Sequence, residues 1–316
     1  MTANNEGFYF IASCGEHLRT TATHVPARVF SGQVEQLRWS MLQQGQISAE
    51  QWYSAKAFVR PAAFDKDNQS RIAVTLVVAA HDPIIKSFAI AELQGLRLFA
   101  QSRFGDENES AKSEVMSLEL EWQGSKDTLG MPVPLLPLRI PMASARCSQS
   151  RKAQTSYLSI SQRAIAAFDA LSAGATKHGA ETGGCLVGRI ASLKTLEILD
   201  VFAAQGNNAS AEQFAFKRRF WLDANLRLSA TDCSVVGWCH SHLCDAGYPR
   251  TLSRQDLEIF HLHFAAPWSI GVLLCASQDK TETKWFSWDN GNVVELSIEP
   301  EKIEILKGET TWRHQT

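Results

Sequence analysis

The sequence predicts a mixed chain of the α/β (α+β) class built as two domains. Three observations carry that reading. Short apolar runs rich in β-branched residues, at 71–80, 234–242 and 269–276, have strand character. Segments at 91–104, 161–173 and 253–264 place apolar residues at helical spacing. A proline cluster at Pro132, Pro134, Pro137 and Pro141, followed by the polar stretch SARCSQSRKAQTS, separates two halves. A length of 316 residues agrees with two domains at roughly 100–200 residues each. The expected division is an N-terminal α+β domain at 1–145, a linker at 146–156 and a second domain at 157–316.

In the first half, 34–42 and 49–58 have helical content, the second opened by Ser48 as a cap. The run RIAVTLVVAA at 71–80 reads as a buried strand. His81-Asp82 precedes Pro83 and reads as a turn rather than as chemistry. Leu93, Leu96 and Ala100 mark one face of a helix over 91–104. Met116, Leu118, Leu120 and Trp122 mark one face of a strand over 114–122. Nothing here carries a reaction, and recognition of a substrate or partner is the role left to this half.

In the second half, Ser161 caps a helix running to about Ala173, with Ile165, Phe168 and Leu171 facing a core. Strands are expected at 184–190, 196–203, 234–242 and 269–276. A hairpin then joins 284–288 to 293–298 at Asn290-Gly291, a dipeptide suited to positive φ. A helix over 253–264 lies between the last two of those four strands.

Composition narrows the partners. With 31 basic and 33 acidic residues the formal net charge is −2, so no global basic field exists to hold nucleic acid or an anionic membrane. The longest apolar runs are far shorter than the roughly 20 residues of a membrane-spanning helix. The first residues lack a basic region followed by an apolar core, so no secretion signal is expected. The 7 cysteines are irregularly spaced and form no Cys-x-x-Cys pair, which fits a reducing, cytoplasmic compartment.

The sharpest feature is His240-Ser241-His242 at the end of SVVGWC. On a strand, residues two apart project to one face, so both imidazoles can converge on one metal ion. Ser253 and Asp256 lie three apart at the start of a predicted helix and share a face there, which offers Asp256 as an oxygen ligand. Two His and one carboxylate leave a fourth tetrahedral position for water, as in a catalytic zinc site. Glu181, in Glu181-Thr182-Gly183-Gly184, can serve as the base that such a site requires. The glycines allow a close backbone approach beside it.

Together these residues resemble the JAMM (MPN+) family of zinc-dependent isopeptidases, including its bacterial members. The family pattern is a Glu before a Gly-rich strand, then His-Ser/Thr-His, seven residues, Ser, two residues and Asp. Glu181, His240, His242, Ser253 and Asp256 match it in order and type, and ETGGCLVG, GWCHSH and PWSIGVLL resemble its flanks. The resemblance covers about 157–298. Two departures are visible. Leu243 stands where the family usually has Pro, and ten residues rather than seven separate His242 from Ser253. Three extra loop residues repair the register at small entropic cost. The alternative makes Cys244 or Asp245, inside that loop, a competitor for the metal.

The resemblance implies a sandwich around a curved, mostly antiparallel sheet flanked by helices. It implies Zn2+ on His240, His242 and Asp256, Glu181 as the base, and Ser253 as donor to the oxyanion. It further implies cleavage of a ubiquitin-like protein from a conjugate or precursor, in company with other proteins of a conjugation system. Some bacterial members belong to such systems that defend against phage. Two alternatives stay open: release of a small molecule from a sulfur-carrier protein, and a catalytically silent scaffold of the same fold.

Three smaller readings complete the set. Phe214, Phe216, Phe220 and Trp221, interleaved with Lys217-Arg218-Arg219, could grip a substrate or form a helix laid over the sheet. A second pair, His261-Leu262-His263, falls inside a helix where the rings point apart, and reads as structural. Cys185 and Cys239, in apolar strand runs, read as inert core thiols.

Overall fold

The computed structural model describes residues 6–14, 19–62, 71–104, 115–124, 128–136, 140–142, 158–204, 216, 218–229, 231–244, 250–277, 281–298 and 303–306. The chain is α+β, as its periodicities predict. It forms two compact units, one of residues 1–137 with 289–292, the other of 138–288 with 293–316. The expected linker at 146–156 lies outside the described residues.

The first unit contains β1 (Gly7–Cys14), β2 (Arg19–His24), α1 (Ser31–Gln43), α2 (Ala49–Ser54) and β3 (Lys56–Pro61). These are followed by β4 (Arg71–Val77), β5 (Ile84–Ala89), α3 (Gln94–Phe104), β6 (Val115–Gln123) and β7 (Met131–Val133). Two antiparallel sheets result, in the orders β2-β1-β6 and β5-β4-β3-β7. Ser48 caps α2 as expected, within a full capping box closed by Gln51. The helix expected over 49–58 nevertheless stops at Ser54. The next residues pair with β4, Ala57 against Leu76 and Val59 against Val74, and this alternation buries both Ala57 and Val59. Cross-strand burial outweighs the helical propensity of Ala55, Lys56 and Ala57.

The second unit contains β8 (Leu158–Ser161), α4 (Gln162–His178), β9 (Gly183–Ser192), β10 (Thr195–Ala203), α5 (Arg218–Leu228) and β11 (Ser234–Leu243). It continues with α6 (Arg254–His263), β12 (Ile270–Ala276), β13 (Glu282–Asp289), β14 (Asn292–Glu295) and β15 (Ile303–Leu306). Its eight strands form one curled sheet in the order β14-β13-β12-β11-β9-β10-β8-β15. Pairing is mixed. β9 runs antiparallel to both β10 and β11, and β12 to β13. The β11–β12, β8–β10 and β8–β15 pairs are parallel. The parallel β11–β12 step follows from α6, which crosses over between the two strands.

Ser161 caps α4 by accepting the Ala164 amide at 3.0 Å. The helix outruns its expected end and stops at Gly179, whose φ of 61° supplies the left-handed cap. Ala164, Phe168, Leu171 and Ala175 form its buried face, and the helix packs on β10, β11 and β12. Each large apolar side chain sealed in this way stabilises the fold by about 1.5–3 kcal/mol. The hairpin turn has φ of 47° at Asn290 and 78° at Gly291, as that dipeptide predicts.

One ion cluster fixes the β9–β10 register. Arg189 donates to Glu197 at 2.9 Å and to Asp232 at 2.6 Å, and Glu197 is its cross-strand partner. Glu197 is buried, and Asp232 nearly so. Arg189→Met would remove the cation that both carboxylates share. The expected loss is about 3–5 kcal/mol of stability, read by urea unfolding, against little change for the exposed Arg219→Met.

Candidate metal centre

Two strand ends and one helix start build the site. β9 and β11 pair antiparallel, with Gly183 opposite His240. Two further steps along that register set Thr182 against Ser241 and Glu181 against His242. The first is realised directly, the Ser241 amide donating to the Thr182 carbonyl at 2.8 Å. Facing residues of a pair project to one side, so the Glu181 carboxylate is carried beside the His242 ring. Gly184 allows the strand to close up there, since a Cβ at that position would stand 2.3 Å from the Phe202 carbonyl oxygen.

Asp256 arrives from α6. Ser253 is the N-cap, its hydroxyl accepting the Asp256 amide at 3.2 Å while Asp256 Oδ2 accepts the Ser253 amide at 2.7 Å. Leu252 and Leu257 pack in one apolar cluster and staple the helix start. Phe260, fully buried, holds the helix over β12, where Gly271 leaves room for its ring.

The three elements bring their ligand atoms together. His240 Nε2 lies 3.1 Å from His242 Nε2 and 3.2 Å from Asp256 Oδ1, and His242 Nε2 lies 3.4 Å from Asp256 Oδ2. Each Asp256 oxygen faces one imidazole, and these separations are short enough for one metal ion to be held by the three side chains. His240, His242 and Asp256 are all buried and lie close enough to bind a single metal ion. Glu181 Oε1 stands farther off, 3.8 Å from His242 Nε2. It is beside the cluster and is not one of the converging atoms.

Electrostatics separate the two carboxylates. Burial alone would raise the Asp256 carboxyl, but the His240 charge and hydrogen bonds from both imidazoles and Ser253 outweigh it and hold it far below the usual range. Burial pushes Glu181 up to about 7, against the pull of His242 and with the push of Asp256. A carboxyl of that character suits proton transfer near neutrality.

Aromatic packing sets the first imidazole. Trp238 stacks on His240 at 4.4 Å and 2°, and Phe264 stacks behind Trp238 at 5.9 Å and 10°. Phe216 and Trp221 pack against the same cluster, and Phe220 stacks on Phe216 at 4.9 Å. These aromatics, considered above as a grip, lie partly buried on the sheet side of α5. The apolar residues that α5 turns outward are Leu222 and Leu226. Phe214 and Asp245 lie outside the described residues, and Cys244 is not among the converging ligand atoms. His261 and His263 instead pack on Trp288 and Trp221 respectively. Cys185 and Cys239 are fully buried, and burial pushes the Cys185 thiol up to about 12.

Ser241 is the residue that sequence reasoning passed over. Between two His its side chain faces away from the two imidazoles, where its hydroxyl accepts the Thr182 amide at 2.8 Å and lies 3.2 Å from Thr182 Oγ1. Thr182 Oγ1 in turn donates to the Leu171 carbonyl. Glu181 is therefore fixed through its neighbour. The signal was present in the pairing of a hydroxyl inside His-Ser-His with one directly after the Glu. Ser241→Ala takes the acceptor from a partly buried amide, so a stability loss of about 1 kcal/mol is expected in thermal unfolding, with metal uptake retained.

No helix among the described residues is long and apolar enough to cross a membrane. No family model and no curated protein matches the chain. Among solved structures, the solution structure of a protein from Desulfitobacterium hafniense is similar to it, covering 48% of this chain and 95% of that one, at 20% identity and a TM-score of 0.38.

Proposed function

We propose that the chain is a zinc-dependent peptidase or isopeptidase that cleaves a ubiquitin-like protein from a conjugate or precursor. The observation that supports it is the convergence of His240, His242 and Asp256 with a separate carboxylate, Glu181, standing just outside them. The substrate class rests on the resemblance of these residues and their flanks to JAMM enzymes, and so does a place in a bacterial conjugation system.

Bound zinc would supply Lewis-acid polarisation of an amide carbonyl and would acidify water. His240, His242 and Asp256 would hold it, with Trp238 orienting the first ring and the Ser253 cap orienting the carboxylate. Glu181 takes the proton of the attacking water and returns it to the leaving amine. The Ser253 hydroxyl accepts from the Asp256 amide, which leaves its own hydrogen to donate to the developing oxyanion. Such a donor is typically worth about 3–4 kcal/mol of transition-state stabilisation.

The test joins two measurements on the purified chain: metal content, and cleavage of ubiquitin-like and sulfur-carrier fusions side by side. About one zinc per chain and turnover of ubiquitin-like fusions are expected. Turnover of sulfur-carrier conjugates alone would shift the reading to the small-molecule release considered above. Absence of bound metal after zinc reconstitution would overturn it.

A further inference from the structure

Beside the metal-ligating atoms the fold brings two thiols together. Cys275 is buried on β12, while Cys244, the residue after β11, is partly exposed. In the parallel β11–β12 register His242 faces Cys275 and Leu243 faces Ala276. The two thiols are in hydrogen-bonding contact, and Cys244 packs against the apolar cluster that contains Cys275.

A second tie holds the same rung. Cys275 pairs across β12–β13 with Glu282, and Glu282 accepts from Arg250 at 2.9 Å. Residues 244 and 250 are thus both anchored to the Cys275–Glu282 pair. The other three cysteines with described side chains are placed differently. Cys185 and Cys239 are fully buried, so no oxidant meets either, and Cys233 contacts the Asp232 carboxylate.

We infer that Cys244 and Cys275 form a redox-active thiol pair, which a peroxide converts to an intramolecular disulfide beside the metal centre. The accessible Cys244 sulfur attacks one peroxide oxygen. The O–O bond breaks, water leaves, and Cys244 becomes a sulfenic acid. The Cys275 sulfur then attacks the Cys244 sulfur. An S–S bond forms, the S–O bond breaks, and a second water carries off the Cys275 proton. Two thiols are oxidised by two electrons in total and one peroxide is reduced by two. The ring so closed runs from 244 to 275 and contains Ser253 and Asp256. Oxidation therefore ties down the stretch of chain that joins the second imidazole to the carboxylate ligand.

The test treats the purified full-length chain with a small excess of hydrogen peroxide, alkylates the remaining thiols, and maps peptides without reduction. Loss of alkylation at Cys244 and Cys275 is expected, with one linked peptide pair two hydrogens lighter than its parts, restored by dithiothreitol. Cys244→Ser should abolish the link and leave Cys275 reduced. Cys275→Ser should leave Cys244 as a sulfenic acid that dimedone traps. Conversion of wild-type Cys244 to sulfinic acid with Cys275 still a free thiol would overturn the inference, as would a link to any other cysteine. Linkage is read by mass, so failure here leaves the zinc peptidase reading intact, and failure of that reading leaves this one standing.

Discussion

Glu181→Gln is expected to lower cleavage by about 10²–10⁴-fold while leaving zinc uptake unchanged. The two halves of that expectation have separate causes. Glutamine fills the same space but offers no basic oxygen, so the proton of the attacking water has no acceptor. Zinc uptake survives because Glu181 Oε1 stands 3.8 Å from His242 Nε2, outside the 3.1–3.4 Å spacing of the converging atoms. Placement survives too, because the Thr182–Ser241 hydrogen bonds that hold the neighbouring backbone are untouched by the substitution. Burial already opposes the charged form of this side chain, so a neutral amide costs the fold little. Metal analysis and cleavage assays on one preparation check both halves. Loss of zinc would make Glu181 a ligand, and unchanged cleavage would remove it from the chemistry.

The site was more legible in the sequence than the fold around it, and the reason lies in which interactions are local. His240 and His242 are two apart on an apolar run, and strand geometry alone puts them on one face. Ser253 and Asp256 are three apart, and their reciprocal capping bonds are a property of four consecutive residues. Glu181 is different. Its position depends on an antiparallel register with a strand some sixty residues away, which no local pattern encodes, and only its glycine-rich flank and the family resemblance pointed to it. The elements misjudged were those decided by distant partners. Residues 56–58 have helical content but pair with β4. The strand at Ile84–Ala89 is mostly exposed and carries no clean alternation, so only its bonds to β4 reveal it. Local propensity decides neither case; pairing does. The aromatics near 216–221 show the same limit, because a sequence lists large apolar residues without saying whether Trp238 and Phe264 lie beneath them.

Asp256 tests the metal centre independently of any substrate. Asp256→Ala should abolish the zinc-dependent rise in thermal stability that the proposed centre predicts for the unaltered chain. With free zinc at about a thousandfold above its dissociation constant, ligand linkage stabilises the native state by about 4 kcal/mol, and a chelator should remove that increment. Losing an outer-shell partner of a metal ligand costs about 10–100-fold in affinity, so losing a ligand itself should cost more and erase most of the increment at the same zinc concentration. The variant also loses half of the capping box at the start of α6, worth about 1 kcal/mol, and that loss appears whether or not zinc is present. Ser253→Ala supplies the control, since it removes the other half of the box and leaves all three ligand residues in place. If Ser253→Ala keeps the zinc-dependent shift and Asp256→Ala does not, the carboxylate acts on the ion. If both variants lose it equally, Asp256 contributes through the helix start alone, and the three-residue centre fails.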